Sequence, residues 1–214
     1  MTNILWDKDF CLPKNAYNKA WNNRFQERIV SKFWPVPDSS SRSIPQAGER
    51  GAFWENRGDR RHAGVDLYAP AGCPVLAIEA GEVLQVEEFT SPHKISYWNI
   101  TYSVLIRTRS GALQRYAEME QALVQPGESV SAGQIIGRVG LVLNLDLINE
   151  TSPAYIQRLK QAGAPSMLHF EMHTDLPDTA DYLGGNYFTQ SQPSQLLDPT
   201  PYLQDLARTP ENEP

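Results

Sequence analysis

Between residues 100 and 107, Ile100, Tyr102, Val104 and Ile106 alternate with Thr101, Ser103, Leu105 and Arg107, which is the period of a β-strand with one apolar face. Ser110-Gly111 supplies a hairpin turn into a second strand over 112–119. Short apolar runs at 74–79 and 82–89 flank a turn at Ala80-Gly81, a third run at 130–139 is punctuated by Gly133 and Gly137, and 167–173 alternates again. From about residue 62 this texture predicts a mainly β, antiparallel domain. Two segments depart from it. Residues 15–33 place Tyr17, Ala20, Trp21, Phe25, Ile29 and Val30 near one helical stripe until Pro35 and Pro37 end it. Ser152-Pro153 has the chemistry of an N-cap and a first helical residue, and Gly163 that of the residue just past a helix end, so a short inserted helix is expected over 153–162. The expected organisation is an N-terminal helical extension over 1–34, a β domain over 35–205 with an insert at 141–166, and a loose tail over 206–214. Residues 196–203 are expected to pack back on the sheet.

Composition narrows the partners. A chain of 214 residues with 41% hydrophobic and 21% charged residues is long enough for one well-buried core. Its net charge of -6 and lack of any Lys/Arg cluster argue against nucleic acid. The most apolar run, 141–148, is broken by Asn144 and Asp146 and is far too short for a membrane span. Residues 1–9 show no basic region followed by an apolar stretch, so no secretory signal is visible. Cys11 and Cys73 make neither a disulfide framework nor a cysteine-based zinc site.

The chemistry lies in histidine and carboxylate. His62 and Asp66 are four residues apart in Arg61-His62-Ala63-Gly64-Val65-Asp66-Leu67, and His169 follows in Met167-Leu168-His169-Phe170-Glu171-Met172. Two imidazoles and a carboxylate suit Zn2+ and leave one tetrahedral position open. Four residues of straight strand span ~13 Å, too far for one ion with bonds of ~2.0–2.2 Å, so the chain must bend, and Gly64 is the residue best able to bend it. In 167–173, Met167, His169, Glu171 and His173 share one face and Leu168, Phe170 and Met172 the apolar other, which predicts that the His169 face looks into a cleft. His93 and His173 are expected at the surface. A hydrogen-bonded structural role for each histidine is the plain alternative; spacing alone leaves the two readings about level.

His62-Ala63-Gly64-Val65-Asp66-Leu67, Ala69-Pro70-Ala71-Gly72-Cys73-Pro74-Val75, Tyr116-Ala117-Glu118-Met119, Pro126-Gly127-Glu128-Ser129-Val130, 132–140 and Leu168-His169-Phe170-Glu171 occur in that order. The series resembles the core of the lysostaphin-type (LytM-domain) zinc metallopeptidases, which cut peptide bonds in bacterial peptidoglycan. The resemblance covers roughly residues 33–205 apart from the insert, with Phe33-Trp34-Pro35-Val36 similar to the strand that opens this domain. It implies Zn2+ held by His62, Asp66 and His169, a peptidoglycan peptide as substrate, and cleavage through zinc-activated water. This chain departs from the family where two active-site histidines would stand: it has Met167, which exchanges no proton, and Glu118, which can. Glu118 is therefore the candidate general base; a surface salt bridge with Arg115 or Lys94, or a fourth ligand, are its other readings. Glu171 is expected to orient other groups. A catalytically weak module binding cell wall or a partner protein is the alternative function. Action in the periplasm or cell wall would then require non-Sec delivery by a secretion system or phage, with a delivery or regulatory partner; otherwise the protein is cytoplasmic.

Overall fold

The structure, a computed structural model, describes residues 32–37, 39, 42–163, 165–177 and 180–208. The helix expected over 15–33 lies outside these residues except for Lys32 and Phe33, which are not helical. Twelve strands and two α-helices are present among the described residues. The strands are β1 (Arg61–His62), β2 (Val65–Tyr68), β3 (Pro74–Leu76), β4 (Gly81–Thr90), β5 (Thr101–Thr108), β6 (Leu113–Ala122), β7 (Ser129–Val130), β8 (Ile135–Leu141), β9 (Ser166–His173), β10 (Tyr182–Leu183), β11 (Asn186–Tyr187) and β12 (Leu196–Leu197). The helices are α1 (Ala154–Gln161) and α2 (Thr200–Arg208). All strand pairings are antiparallel, as the alternating pattern requires.

The large sheet runs β12-β9-β8-β6-β5-β4-β7, with β2 also on β9 and β3 on β8; β1, β11 and β10 form a small second sheet. Strand β9 organises the centre. On one edge it pairs with β2 over Val65↔Phe170 to Tyr68↔Met167, then with β12. On the other edge it pairs with β6 over Leu113↔His173 to Ala117↔His169, and beyond that with β8 at Gly140↔Met167. Strand β6 thus leaves β9 after Ala117 and continues against β8 from Met119. Leu168, Phe170 and Met172 point into the main core with Val65, Val104, Ile106, Tyr116 and Ile136. The apolar stripe of β5 is kept only in its second half: Val104 and Ile106 are buried, whereas Ile100 and Tyr102 are exposed.

Residues 33–36 run beside β3 without becoming a regular strand. The Phe33 amide donates to the Ile78 carbonyl and the Leu76 amide to the Pro35 carbonyl, but Pro35 has no N–H to extend the ladder. At the other end, Leu203 and Leu206 of α2 enter the main core, and the helix runs through Arg208. The inserted helix begins one residue later than its sequence suggests: Pro153 is the N-cap, and the Ser152 hydroxyl accepts instead from the Asn149 amide. Tyr155, Ile156 and Leu159 bury its apolar face in a second cluster with Trp98, Leu143 and Met167.

The bend expected at Gly64 is present, between β1 and β2. A second need for glycine is closeness. A Cβ there would lie 2.3 Å from the Phe170 carbonyl oxygen and 3.0 Å from both His169 Cε1 and Glu171 Cγ. Gly64→Ala should therefore part β2 from β9 and cost about 3 kcal/mol, the upper end for overpacking; unchanged urea unfolding would show that the strands can shift without loss.

Candidate metal centre

The three residues picked out by sequence converge although they arrive from separate segments. Asp66 and His169 are register partners across β2 and β9, so their side chains share one face of the sheet. His62 comes from the small sheet, across the Gly64 bend. Its Nε2 lies 2.9 Å from His169 Nδ1 and 3.1 Å from Asp66 Oδ1, and His169 Nδ1 is 3.0 Å from Asp66 Oδ1. All three residues are buried.

Each inward-facing donor atom is fixed by a partner on its outer side. His62 Nδ1 donates to the Ala52 carbonyl at 2.8 Å, which leaves Nε2 as the unprotonated, inward nitrogen. His169 Nε2 donates to Glu171 Oε1 at 2.8 Å, leaving Nδ1 inward. Asp66 Oδ2 accepts from Arg57 at 3.0 Å, leaving Oδ1 inward. Arg57 is itself held by Glu55 and by Asn186, the register partner of His62. Outer partners of this kind orient the ligands of metal sites and set their tautomers. The N,N,O set, buried and pre-oriented, fits Zn2+.

Charges follow the same geometry. Burial opposes ionisation of Asp66, yet His62, His169 and Arg57 hold its carboxyl well below the usual carboxylate range. Burial and the Arg57 cation lower His62. Burial would also lower His169, but its bonds to Asp66 and Glu171 push it up to about 10. Burial opposes ionisation of Glu171 too, but His169, His173 and Arg115 keep it well below its ordinary value. The Glu171 carboxylate accepts from His169 Nε2, from His173 Nε2 at 2.8 Å and from the Tyr182 hydroxyl at 2.5 Å, and faces Arg115 Nε at 3.4 Å.

This network corrects two expectations. His173 is buried, not at the surface, because Glu171 supplies its partner. The His169 face of β9 is a packed polar layer and not an open cleft, because a hairpin lies on it. Gly184-Gly185 turns β10 into β11, with φ of 51° and 75°. A Cβ on Gly185 would fall 2.7 Å from His169 Cε1, so only bare backbone fits against the imidazole. The signal for this turn in the sequence is Leu183-Gly184-Gly185-Asn186, a glycine pair between short apolar runs. Arg57 was not legible: nothing local separates it from Arg60 and Arg61. His93 is exposed, as expected.

Glu118 occupies the fork where β6 changes partner. Tyr102↔Met119 and Val104↔Tyr116 put Ala117 and Glu118 opposite the single residue Ser103, a β-bulge, and Glu118 takes φ 65°. A non-glycine residue in this region costs about 1–3 kcal/mol. The bulge turns the carboxyl into a cavity of about 20 Å3, room for roughly one water, that it shares with Asp66, Arg57, Met167, Gly184, Trp98 and the α1 residues Tyr155, Ile156 and Leu159. Glu118 is 8% exposed and its Oε2 has no hydrogen-bond partner among the described residues. The surface salt bridge is therefore excluded; Arg115 faces Glu171 and Lys94 faces Glu88. Burial, then the nearby Asp66 charge, push Glu118 up to about 8.

A carboxyl whose folded pKa is raised stabilises the fold fully below its ordinary value of 4.5, and that stability is lost as pH rises through about 8. Metal-free Glu118→Gln, which cannot ionise, should therefore melt progressively higher than the unmodified metal-free chain across this window. Parallel melting curves at every pH would mean that the carboxylate is solvated or paired.

An antiparallel sheet carrying a buried His-Asp-His donor set, with a carboxyl beside it, has the ligand chemistry of a metal centre. The sequence matches the model of peptidase family M23 over residues 60–180, and the chain belongs to that family. The uncharacterized lipoprotein YgeR of Escherichia coli (strain K12) is 32% identical over 114 residues, 49% of this chain and 41% of that protein, so the match spans less than half of the relative. Among solved structures, the catalytic domain of lysostaphin from Staphylococcus simulans is 22% identical with a TM-score of 0.42, covering 86% of this chain and 96% of that one. A zinc-containing peptidase from Vibrio cholerae is 24% identical with a TM-score of 0.43, covering 67% of this chain and 37% of that one.

Proposed function

We propose that the chain is a zinc-dependent endopeptidase acting on the peptide part of bacterial peptidoglycan. Family membership supplies the peptidase class. The observation that carries the reading is the convergence of His62 Nε2, Asp66 Oδ1 and His169 Nδ1 beside the unpartnered Glu118 carboxyl. Zinc, when bound, supplies a Lewis acid for a peptide carbonyl and lowers the pKa of water from ~15.7 to ~7. His62, Asp66 and His169 would hold it. Glu118 takes up a proton from the attacking water and returns it to the leaving amine, a role that needs a pKa near the working pH. Met167, buried in one cluster with Trp98 and Tyr155, gives the same cavity an apolar wall. Arg57 holds Asp66 to one inward oxygen.

The insert 141–166 and the Gly184-Gly185 turn form the rim of this cavity, and a wall peptide enters when one of them yields. The tightness of the cavity is the one observation that favours the second reading, a module that keeps the centre closed and binds cell wall or a partner protein. The YgeR resemblance supports an envelope site of action. No helix among the described residues is long and apolar enough to cross a membrane. The test is the purified, zinc-loaded chain on cell walls of several cross-link types, with release of new amino groups as readout. Cleavage that His62→Ala abolishes supports the endopeptidase; no cleavage of any wall leaves the binding module.

A further inference from the structure

A second cavity, of about 270 Å3, shares the Gly184 turn with the metal centre but plays no part in the chemistry above. It is lined by Glu87, Glu88 and Phe89 of β4, Lys94 of the following loop, Arg115 of β6 and Leu176 after β9. The Phe89 ring lies against His169, 5.6 Å between centroids, so the cavity reaches to within one side chain of the metal ligands. Its volume suits a single amino-acid unit, at the small end of ligand sites.

Arg115 is the unusual member. It is only 6% exposed and is bracketed by the rings of Phe89 and Tyr182, at 6.0 and 5.4 Å. Its Nε faces Glu171 at 3.4 Å and, though buried, makes no hydrogen bond among the described residues. Burying a guanidinium is costly unless its donors are used, and the planar fork matches a carboxylate with two parallel bonds. Lys94 is already engaged, donating to the Glu88 and Phe89 carbonyls at 3.1 Å each. That leaves the terminal nitrogens of Arg115, whose Nε already faces Glu171, for an incoming anion. Glu87 is exposed, with no ion pair among the described residues, and lines the same cavity.

We propose that this cavity is a subsite for the free carboxylate of an amino-acid or peptide ligand, anchored by Arg115, with Glu87 placed for a neighbouring ammonium. It extends the peptidase reading above, in which the ligand is a wall peptide that retains such a carboxylate, at its chain end or on a side chain.

The test is an NMR titration of the full chain with three probes: Ala-Ala, Ala-Ala amide, and Ala-Glu α-amide, whose carboxylate is on the side chain. At least one carboxylate probe should bind ten times or more tighter than Ala-Ala amide, shifting the Phe89 and Leu176 amides; the tighter of the two tells chain end from side chain. Arg115→Gln should erase the preference. Leu176→Glu, at an exposed position, should do so by repulsion without touching Glu171. Equal binding of acid and amide, no binding of any probe, or a preference surviving both substitutions overturns the subsite. Binding is read without turnover, so the two readings fail separately. Carboxylate-selective binding by a chain that cuts no wall keeps the subsite and removes the peptidase; wall cleavage without that selectivity does the opposite.

Discussion

Replacing His169 by alanine should lower zinc affinity by at least about 10²-fold, because one of three protein ligands is lost from a site whose binding energy is shared among them. His169 is also the hub of the centre: it is the register partner of Asp66, lies within 3 Å of His62, and donates its Nε2–H to Glu171. Metal analysis after dialysis should give close to one zinc per unmodified chain and almost none for the variant. Folding supplies a second readout. Zinc that binds only the native state raises the melting temperature of the unmodified chain, and this rise should vanish in His169→Ala. Full zinc retention by either His169→Ala or His62→Ala would overturn the ligand assignment.

Glu118→Gln should reduce wall cleavage by about 10²-fold or more while zinc content stays the same. The substitution keeps size and one hydrogen-bonding oxygen but removes the group able to carry a proton. Glu118 is buried at a bulge in the same cavity as Asp66, and among the described residues it makes no ion pair and one of its carboxyl oxygens has no partner. A fall in zinc affinity in this variant would instead make Glu118 a fourth ligand and the centre a closed one. Unchanged cleavage would remove it from the mechanism.

The insert shows how local and long-range information divide. Its helix was readable to within a residue because the end signals at Ser152-Pro153 and Gly163 act within one turn. Which residues of the insert share a cavity with Asp66 and Glu118 was not readable, since the contact depends on Trp98 and Met167 arriving from other segments. Likewise the polar face of 167–173 was correctly separated from the apolar face. Its environment was misjudged, because a buried polar face and a solvated one have the same alternation when the partners come from elsewhere.

What the sequence determined by itself is therefore whatever periodicity and local chemistry encode: an antiparallel β domain, the bend at Gly64, the inserted helix, and three residues with ligand chemistry in separate segments. Only the tertiary structure decided that these three meet within 3.1 Å, that Arg57 and Glu171 brace them, and that Glu118 sits at the fork of the sheet. Alternation acts over two residues and a helical turn over four, so both are written in the chain. A pairing such as Asp66 with His169 spans about a hundred residues and depends on the register of β2 and β9, which the core behind Leu168 and Phe170 sets only once the sheet has closed.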